Sequence, residues 1–185
     1  TRFAKDFPEL LSWVANGQKP DTVREANFNP PRLDDLRTRN SAAYKGVYAL
    51  LMRDGAQDFR SGKAAKDSEY FDENIDIHHI FPQDWCEQQG IDKRVYDSVI
   101  NKTPLAYKTN RKIGGQAPSA YLSKLQQDRE APIDQERMDG ILRTHVINVE
   151  ALRTDDFQAF YASRRTALLE RISAAMKKPL AQLQS

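Results

Sequence analysis

The sequence predicts an α+β fold, mainly α-helical, in which helices surround one short pair of strands. Three observations carry that expectation. Apolar residues recur at helical spacing in both terminal thirds of the chain. The middle carries a β-branched and aromatic run, Ile75-Asp76-Ile77-His78-His79-Ile80-Phe81, which Pro82 stops because it has no N–H for a central ladder. A second short strand is expected over residues 104–107, followed by a helix that carries Asn110 and is broken by Gly114-Gly115.

The elements follow in order. Asp6-Phe7-Pro8-Glu9 resembles a capping box with proline in the first turn, and Phe7, Leu10, Leu11 and Val14 then form an apolar stripe that ends at Gly17 and is expected to pack into the core. Residues 18–31 read as a connecting loop before a short helix over 33–39. Ser41 caps a stronger helix whose inner face is Tyr44, Val47, Tyr48 and Leu51 and whose stop is Gly55. Residues 55–74 read as a long loop, and residues 85–97 as another between the two strands. Ser119 caps a helix holding Tyr121, Leu122 and Leu125, and a further helix spans residues 135–145. Asp155-Asp156-Phe157-Gln158 opens the longest helix, with Phe157, Phe160, Tyr161, Leu168, Leu169, Ile172 and Met176 inward and Arg164, Arg165 and Arg171 on the outer face. The tail beyond Lys177 is expected to fray.

With 39% hydrophobic and 29% charged residues the chain is globular rather than disordered, and its 185 residues suit one domain. No apolar run approaches the roughly 20 residues of a membrane span, and the first residues lack a signal-peptide pattern, so a cytoplasmic location is expected. The single cysteine, Cys86, excludes an internal disulfide and zinc fingers built on paired cysteines. A net charge of +2 is too small to indicate a partner, but its distribution is uneven. From Asp67 to Asp92 there are eight acidic residues and no lysine or arginine; from Asn101 to Lys124 there are five basic residues and no acid. Those five, Lys102, Lys108, Arg111, Lys112 and Lys124, are expected to form a phosphate-binding face.

Phosphodiester hydrolysis needs an activated water, a proton acceptor, and a cation at the phosphate and leaving oxygen. His79 suits the acceptor because an unperturbed imidazole, with a pKa of ~6.5, is mostly a free base at neutral pH. On a regular strand His78 and His79 point to opposite faces, which favours one ligand and one base unless the strand end twists. Asn110 offers a hard carbonyl oxygen to a cation such as Mg²⁺, and Asp76 shares the face of His78 and can contribute directly or through water. Arg111 and Lys112 would neutralise flanking phosphates. His145 lies away from these residues and is expected to be structural, as are Trp13 and Trp85.

The three segments Ile75-Asp76-Ile77-His78-His79-Ile80-Phe81-Pro82, Ile100-Asn101-Lys102-Thr103-Pro104-Leu105 and Thr109-Asn110-Arg111-Lys112-Ile113-Gly114 resemble the HNH, or ββα-metal, nuclease motif. More narrowly, the chain resembles the C-terminal domain of GmrSD-type and SspE-type bacterial defence and restriction endonucleases. That likeness extends to Arg53-Asp54-Gly55-Ala56-Gln57-Asp58-Phe59, Pro118-Ser119-Ala120-Tyr121-Leu122 and Asp155-Asp156-Phe157 with Arg164-Arg165. The resemblance implies a single nuclease domain over residues 1–185, with N-terminal helices at 1–60, the ββα-metal core at 70–125 and C-terminal helices at 126–185. It makes His79 the general base, Asn101 the catalytic residue that fixes the loop and orients the base, and His78 and Asn110 the metal ligands. Many such enzymes have a carboxylate where His78 stands, and a nitrogen ligand admits Mn²⁺, Ni²⁺ or Zn²⁺ beside Mg²⁺.

The implied function is antiviral restriction by metal-dependent DNA cleavage, with phage or modified DNA as substrate and nicking as the simplest outcome of one site. Cutting both strands would take two copies or two events, and an oligomer is compatible with that. The implied partner is an N-terminal ParB-like nucleotidase domain, in the same protein or in another subunit, with this chain a fragment or separate subunit of the whole. Two other readings remain open at this point: a nucleic-acid-binding module without catalysis, and a structural zinc site using His78, His79 and Cys86.

Overall fold

The computed structural model describes residues 2–64 and 75–179, apart from the side chains of Arg2, Phe3, Ile75 and Asp76. In chain order the elements are α1 (Arg2–Asn16), α2 (Asp21–Glu25), α3 (Pro31–Asp35), α4 (Ala42–Arg53), β1 (Ile75–His79), α5 (Gln83–Gln88), α6 (Lys93–Tyr96), β2 (Lys102–Ala106), α7 (Tyr107–Ile113), α8 (Pro118–Gln126), α9 (Gln135–Thr144), α10 (Val149–Arg153) and α11 (Phe157–Met176). This is the mainly helical α+β fold that the sequence predicts. Among the described residues no helix is long and apolar enough to cross a membrane. The expected fraying beyond Lys177 falls largely on residues 180–185, outside the described set.

The two strands pair antiparallel, with Ile75 opposite Ala106, His78 opposite Thr103 and His79 opposite Lys102. A 3₁₀ turn, Val99–Asn101, feeds directly into β2, so the second strand begins two residues earlier than expected. Pro104 fits within it because proline, which has no N–H to donate, is tolerated on an edge strand, and among the described residues β2 is assigned to a two-stranded sheet with β1. The segment expected as a loop instead folds into α5 and α6. Pro82 precedes the first turn of α5, and the Asp92 carboxylate accepts the Arg94 N–H to cap α6.

Two apolar clusters hold these elements. One gathers Phe59, Ile80, Phe81, Cys86, Leu105, Ile113 and Tyr121 with the inner faces of α8, α9 and α10. The other joins α3 and α4 to α11 through Leu33, Tyr44, Val47, Leu51, Leu168 and Ile172, and takes in Val99 and Ile100. The end of β1 is therefore anchored in the first cluster and the entry to β2 in the second. Burying each such side chain contributes about 1.5–3 kcal/mol, so the segments that frame the site are held by buried apolar contacts on both sides.

Two expectations are corrected. The apolar stripe of α1 does not pack inward: Phe7 is 59% and Val14 89% exposed, and Leu10 and Leu11 are exposed as well. The polar side of α1 faces α2 instead, through Lys5 to Asp21 at 2.6 Å, Thr22 to Asp6 at 2.5 Å and the Asp21 N–H to Glu9 at 2.8 Å. Arg164 is not on the outer face of α11. It is fully buried, donating to the carbonyls of His145 (3.1 Å), Val99 (3.5 Å), Lys102 (3.0 Å) and Ile100. An arginine with five donors can bind several turn carbonyls at once, and here it ties α11 to the 3₁₀ turn before β2. Arg165 and Arg171 remain partly exposed, paired with Asp34 and Asp54.

Candidate active site

Although neighbours on a strand alternate faces, His78 and His79 line one cleft of about 230 Å³. His79 is the last residue of β1; the Ile80 N–H still donates to the Asn101 carbonyl at 2.8 Å, in register with the strand pairing, and the chain bends there toward α5. The rest of the lining comes from the start of α5, as Pro82, Gln83 and Asp84, and from the end of α7, as Asn110, Ile113, Gly114 and Gly115.

His79 is held by a residue that sequence reasoning missed. Asp97 Oδ1 lies 3.1 Å from His79 Nε2 and 2.5 Å from Lys102 Nζ. Burial and the nearby Lys102 charge push the His79 pKa below its ordinary value, and Asp97 opposes them only in part. The ring is therefore a neutral base near pH 7. With Nε2–H donating to Asp97, Nδ1 is its proton acceptor. Burial would raise the Asp97 pKa, but Lys102 and His79 together hold it below the usual carboxylate value, so it stays ionised.

Asn101 serves the site from behind. It is fully buried; its Oδ1 accepts the Phe81 N–H, and its Nδ2 donates to the carbonyls of Phe81 and Tyr96, each at 2.9 Å. These bonds fix the turn after His79 and the end of α6 that carries Asp97. Asn101 does not line the cleft; it braces the turn after His79, while the side chain that holds the His79 ring is Asp97.

Asn110 reaches the cleft from α7, whose first turn is fixed by the buried Asp58. That carboxylate accepts the Ala106 N–H (3.0 Å), one of the donors that a helix start leaves open, and the Thr109 side-chain hydroxyl (2.8 Å). The helix ends at Gly114, in the left-handed region at φ +60. Gly115 is needed for a different reason. A Cβ there would stand 2.4 Å from Asp84 Oδ2, so the bare Cα is what admits the Asp84 carboxylate to the cleft wall.

Among the residues that line the cleft, His78, Asn110 and Asp84 carry an imidazole, an amide and a carboxylate that could serve as metal donors. Among the described residues no three His, Cys, Asp or Glu side chains form a metal-binding group. A mixed donor set with part of the shell left to water suits a hard divalent cation, which keeps several waters. The Asp76 side chain, expected as a further ligand, lies outside the described residues. Cys86 does not join this set. Its thiol is buried in the first apolar cluster, 3.5 Å from the Phe81 carbonyl, where burial pushes its pKa up to about 12, and it does not line the cleft that holds His78 and His79. His145 is structural, as expected: it is buried between the Thr103 hydroxyl (2.5 Å) and the Gln57 carbonyl (2.6 Å).

The expected phosphate-binding residues divide. Lys102 is corrected: it is only 7% exposed, its Nζ bound to Asp97 and to the Arg37 carbonyl at 3.2 Å, because its strand position points it inward. Lys124 is exposed on α8 and does not line the cleft. Lys108, Arg111 and Lys112 cluster on the side of α7 away from Asn110 and line a second cleft of about 340 Å³ with Arg60 and Glu130. Arg60 was not legible as a site residue, since it lies 48 positions before Lys108.

No family model matches this chain, and no solved structure matches it. An uncharacterized protein of Methanocaldococcus jannaschii is 30% identical over 196 residues, covering 93% of this chain. The chain spans about one third (33%) of that relative's length.

Proposed function

We propose that this chain is a metal-dependent, HNH-type endonuclease domain that hydrolyses DNA phosphodiester bonds, acting as the effector of a bacterial anti-phage restriction system in the cytoplasm. One observation carries this reading. A neutral, carboxylate-oriented His79 faces the same cleft as His78 and Asn110, and the helix that supplies Asn110 presents a cationic cleft on its other side.

His79 Nδ1 takes a proton from water as its oxygen attacks phosphorus, and the bond to the leaving oxygen breaks opposite. Asp97 holds the ring and stabilises the imidazolium that forms, while Asn101 keeps the turn and the end of α6 in register. His78 and Asn110, with Asp84, would hold a divalent cation, Mg²⁺ by preference and Mn²⁺, Ni²⁺ or Zn²⁺ as alternatives. When bound, such an ion supplies charge stabilisation at the phosphate and the leaving oxygen. Phage or modified DNA is the proposed substrate, and a ParB-like nucleotidase domain or subunit the proposed partner.

Incubation of supercoiled plasmid with the protein and Mg²⁺, Mn²⁺, Ni²⁺ or Zn²⁺ in turn tests the reading. The parent should relax the plasmid by nicking, EDTA should stop it, and His79→Ala should be about 10²–10⁴-fold slower, the usual contribution of a general base. A parent that binds DNA but leaves it intact across all four metals would establish a binding module instead.

A further inference from the structure

The second cleft is built differently from a solvated patch of lysines. Asp128, buried beneath it, accepts Arg60 Nε at 3.0 Å and Nη2 at 3.5 Å, takes the Lys112 ammonium, and accepts the Glu130 N–H at 2.9 Å. Its carboxylate is held far below the ordinary pKa by Arg60 and Lys112, so it stays charged and fixes both cations. Arg60 is only 13% exposed, which makes its guanidinium a preset fork. Lys108 and Arg111 are exposed at the rim, with Arg111 5.8 Å from the centre of the Tyr107 ring. The outer side of Arg60 is met by Glu130, whose Oε2 lies 2.5 Å from Nη2 although its side chain is 79% exposed. An exposed carboxylate that leaves water to cover a preset arginine gains little stability there. It occupies the position that an anionic ligand would take.

We propose that Arg60, Lys108, Arg111 and Lys112 clamp the backbone of the nucleic-acid substrate, and that Glu130 holds the Arg60 position until a backbone phosphate displaces it. The proposal rests on the endonuclease reading for the identity of the ligand. A helix with its side chains is about 10–12 Å across and phosphates advance about 3.4 Å per step, so the clamp would engage DNA roughly three steps from the cut. Glu130 then acts as a competitor that lowers affinity for loosely held strands.

The test is binding of a fluorescent DNA duplex without terminal phosphates, measured in EDTA over a range of salt. Glu130→Gln should tighten binding roughly two- to fivefold, since it removes one exposed opposing charge. Arg60→Gln should weaken binding and lower the log–log salt slope by about one. Because Arg60→Gln leaves Asp128 with fewer partners, Arg60→Gln/Asp128→Asn is measured beside it and should lose affinity in the same way while keeping the parent's melting temperature. Unchanged or weaker binding by Glu130→Gln, or an unchanged slope in both Arg60 variants, overturns the clamp. Since EDTA removes cleavage from the measurement, a parent that nicks plasmid while these variants bind normally refutes the clamp alone. A clamp that behaves as stated in a protein that never cuts refutes the endonuclease alone.

Discussion

Asp97 Oδ1 stands 3.1 Å from His79 Nε2 and shares its negative charge with Lys102 Nζ, so one carboxylate both aims an imidazole and neutralises a buried ammonium. The arrangement sets opposing influences on one ring. Burial and Lys102 favour neutral His79, and Asp97 favours the imidazolium that appears when the ring accepts a proton.

The pH dependence of nicking follows from these signs. A base must be unprotonated to act, so the rate should rise through the His79 pKa and level off, with the midpoint below the ordinary value of 6.5. Removing the positive charge in Lys102→Gln raises that pKa and moves the midpoint to higher pH. Asp97→Asn moves it to lower pH and also lowers the plateau, because the ring loses its orienting partner. NMR titration of the His79 ring in the two variants checks the same shifts without cleavage. Parallel shifts in one direction would contradict the assignment.

Gly115→Ala should weaken cation binding while preserving the fold. The new Cβ would meet Asp84 Oδ2 at 2.4 Å and force the carboxylate away from the cleft wall. Titration calorimetry with Mn²⁺ should read a loss of about tenfold or more, matched by Asp84→Asn. Parental affinity in both would remove Asp84 from the donor set.

Asn101 and His79 should separate in a melting experiment. Asn101→Ala deletes three buried hydrogen bonds, each contributing ~1 kcal/mol, so a loss of about 3 kcal/mol and slower nicking should appear together. His79→Ala should slow nicking far more with little change in stability. If Asn101→Ala melts with the parent yet is inactive, Asn101 acts in the reaction itself.

Acid stability should report His145. Burial lowers its pKa to about 4, so as pH falls below 6.5 the unfolded chain takes up a proton that the native state refuses. Stability is lost through that window and the loss levels below about 4. The shift corresponds to roughly 3 kcal/mol at full extent. Urea denaturation at neutral and mildly acid pH should show a smaller drop for His145→Gln than for the parent. Equal drops would place the acid sensitivity elsewhere.

The periodic parts of the chain were legible before folding. The inner face of α4, the strand at Ile75 and the helix carrying Asn110 follow from residue spacing, and that spacing depends on local backbone geometry. What was not legible depends on distant partners. Asp97 sits in a segment that reads as a polar loop, and only the folding of α5 and α6 brings it to His79. Gly115 reads as a helix stop, whereas its lack of a side chain matters to Asp84, 31 residues earlier. Arg164 reads as an outward charge beside Arg165, yet α11 is covered along that line by the turn before β2. Lys102 falls in the acid-free basic stretch but points inward, because composition carries no information about which way a strand residue faces.

The most direct test of His79 as the general base is chemical rescue. Plasmid nicking by His79→Ala is timed with saturating metal, with and without added imidazole, beside the parent. The expected result is a rate about 10²–10⁴-fold below the parent that rises with imidazole concentration, while the parent does not respond. A variant that nicks at the parental rate without imidazole would contradict the account.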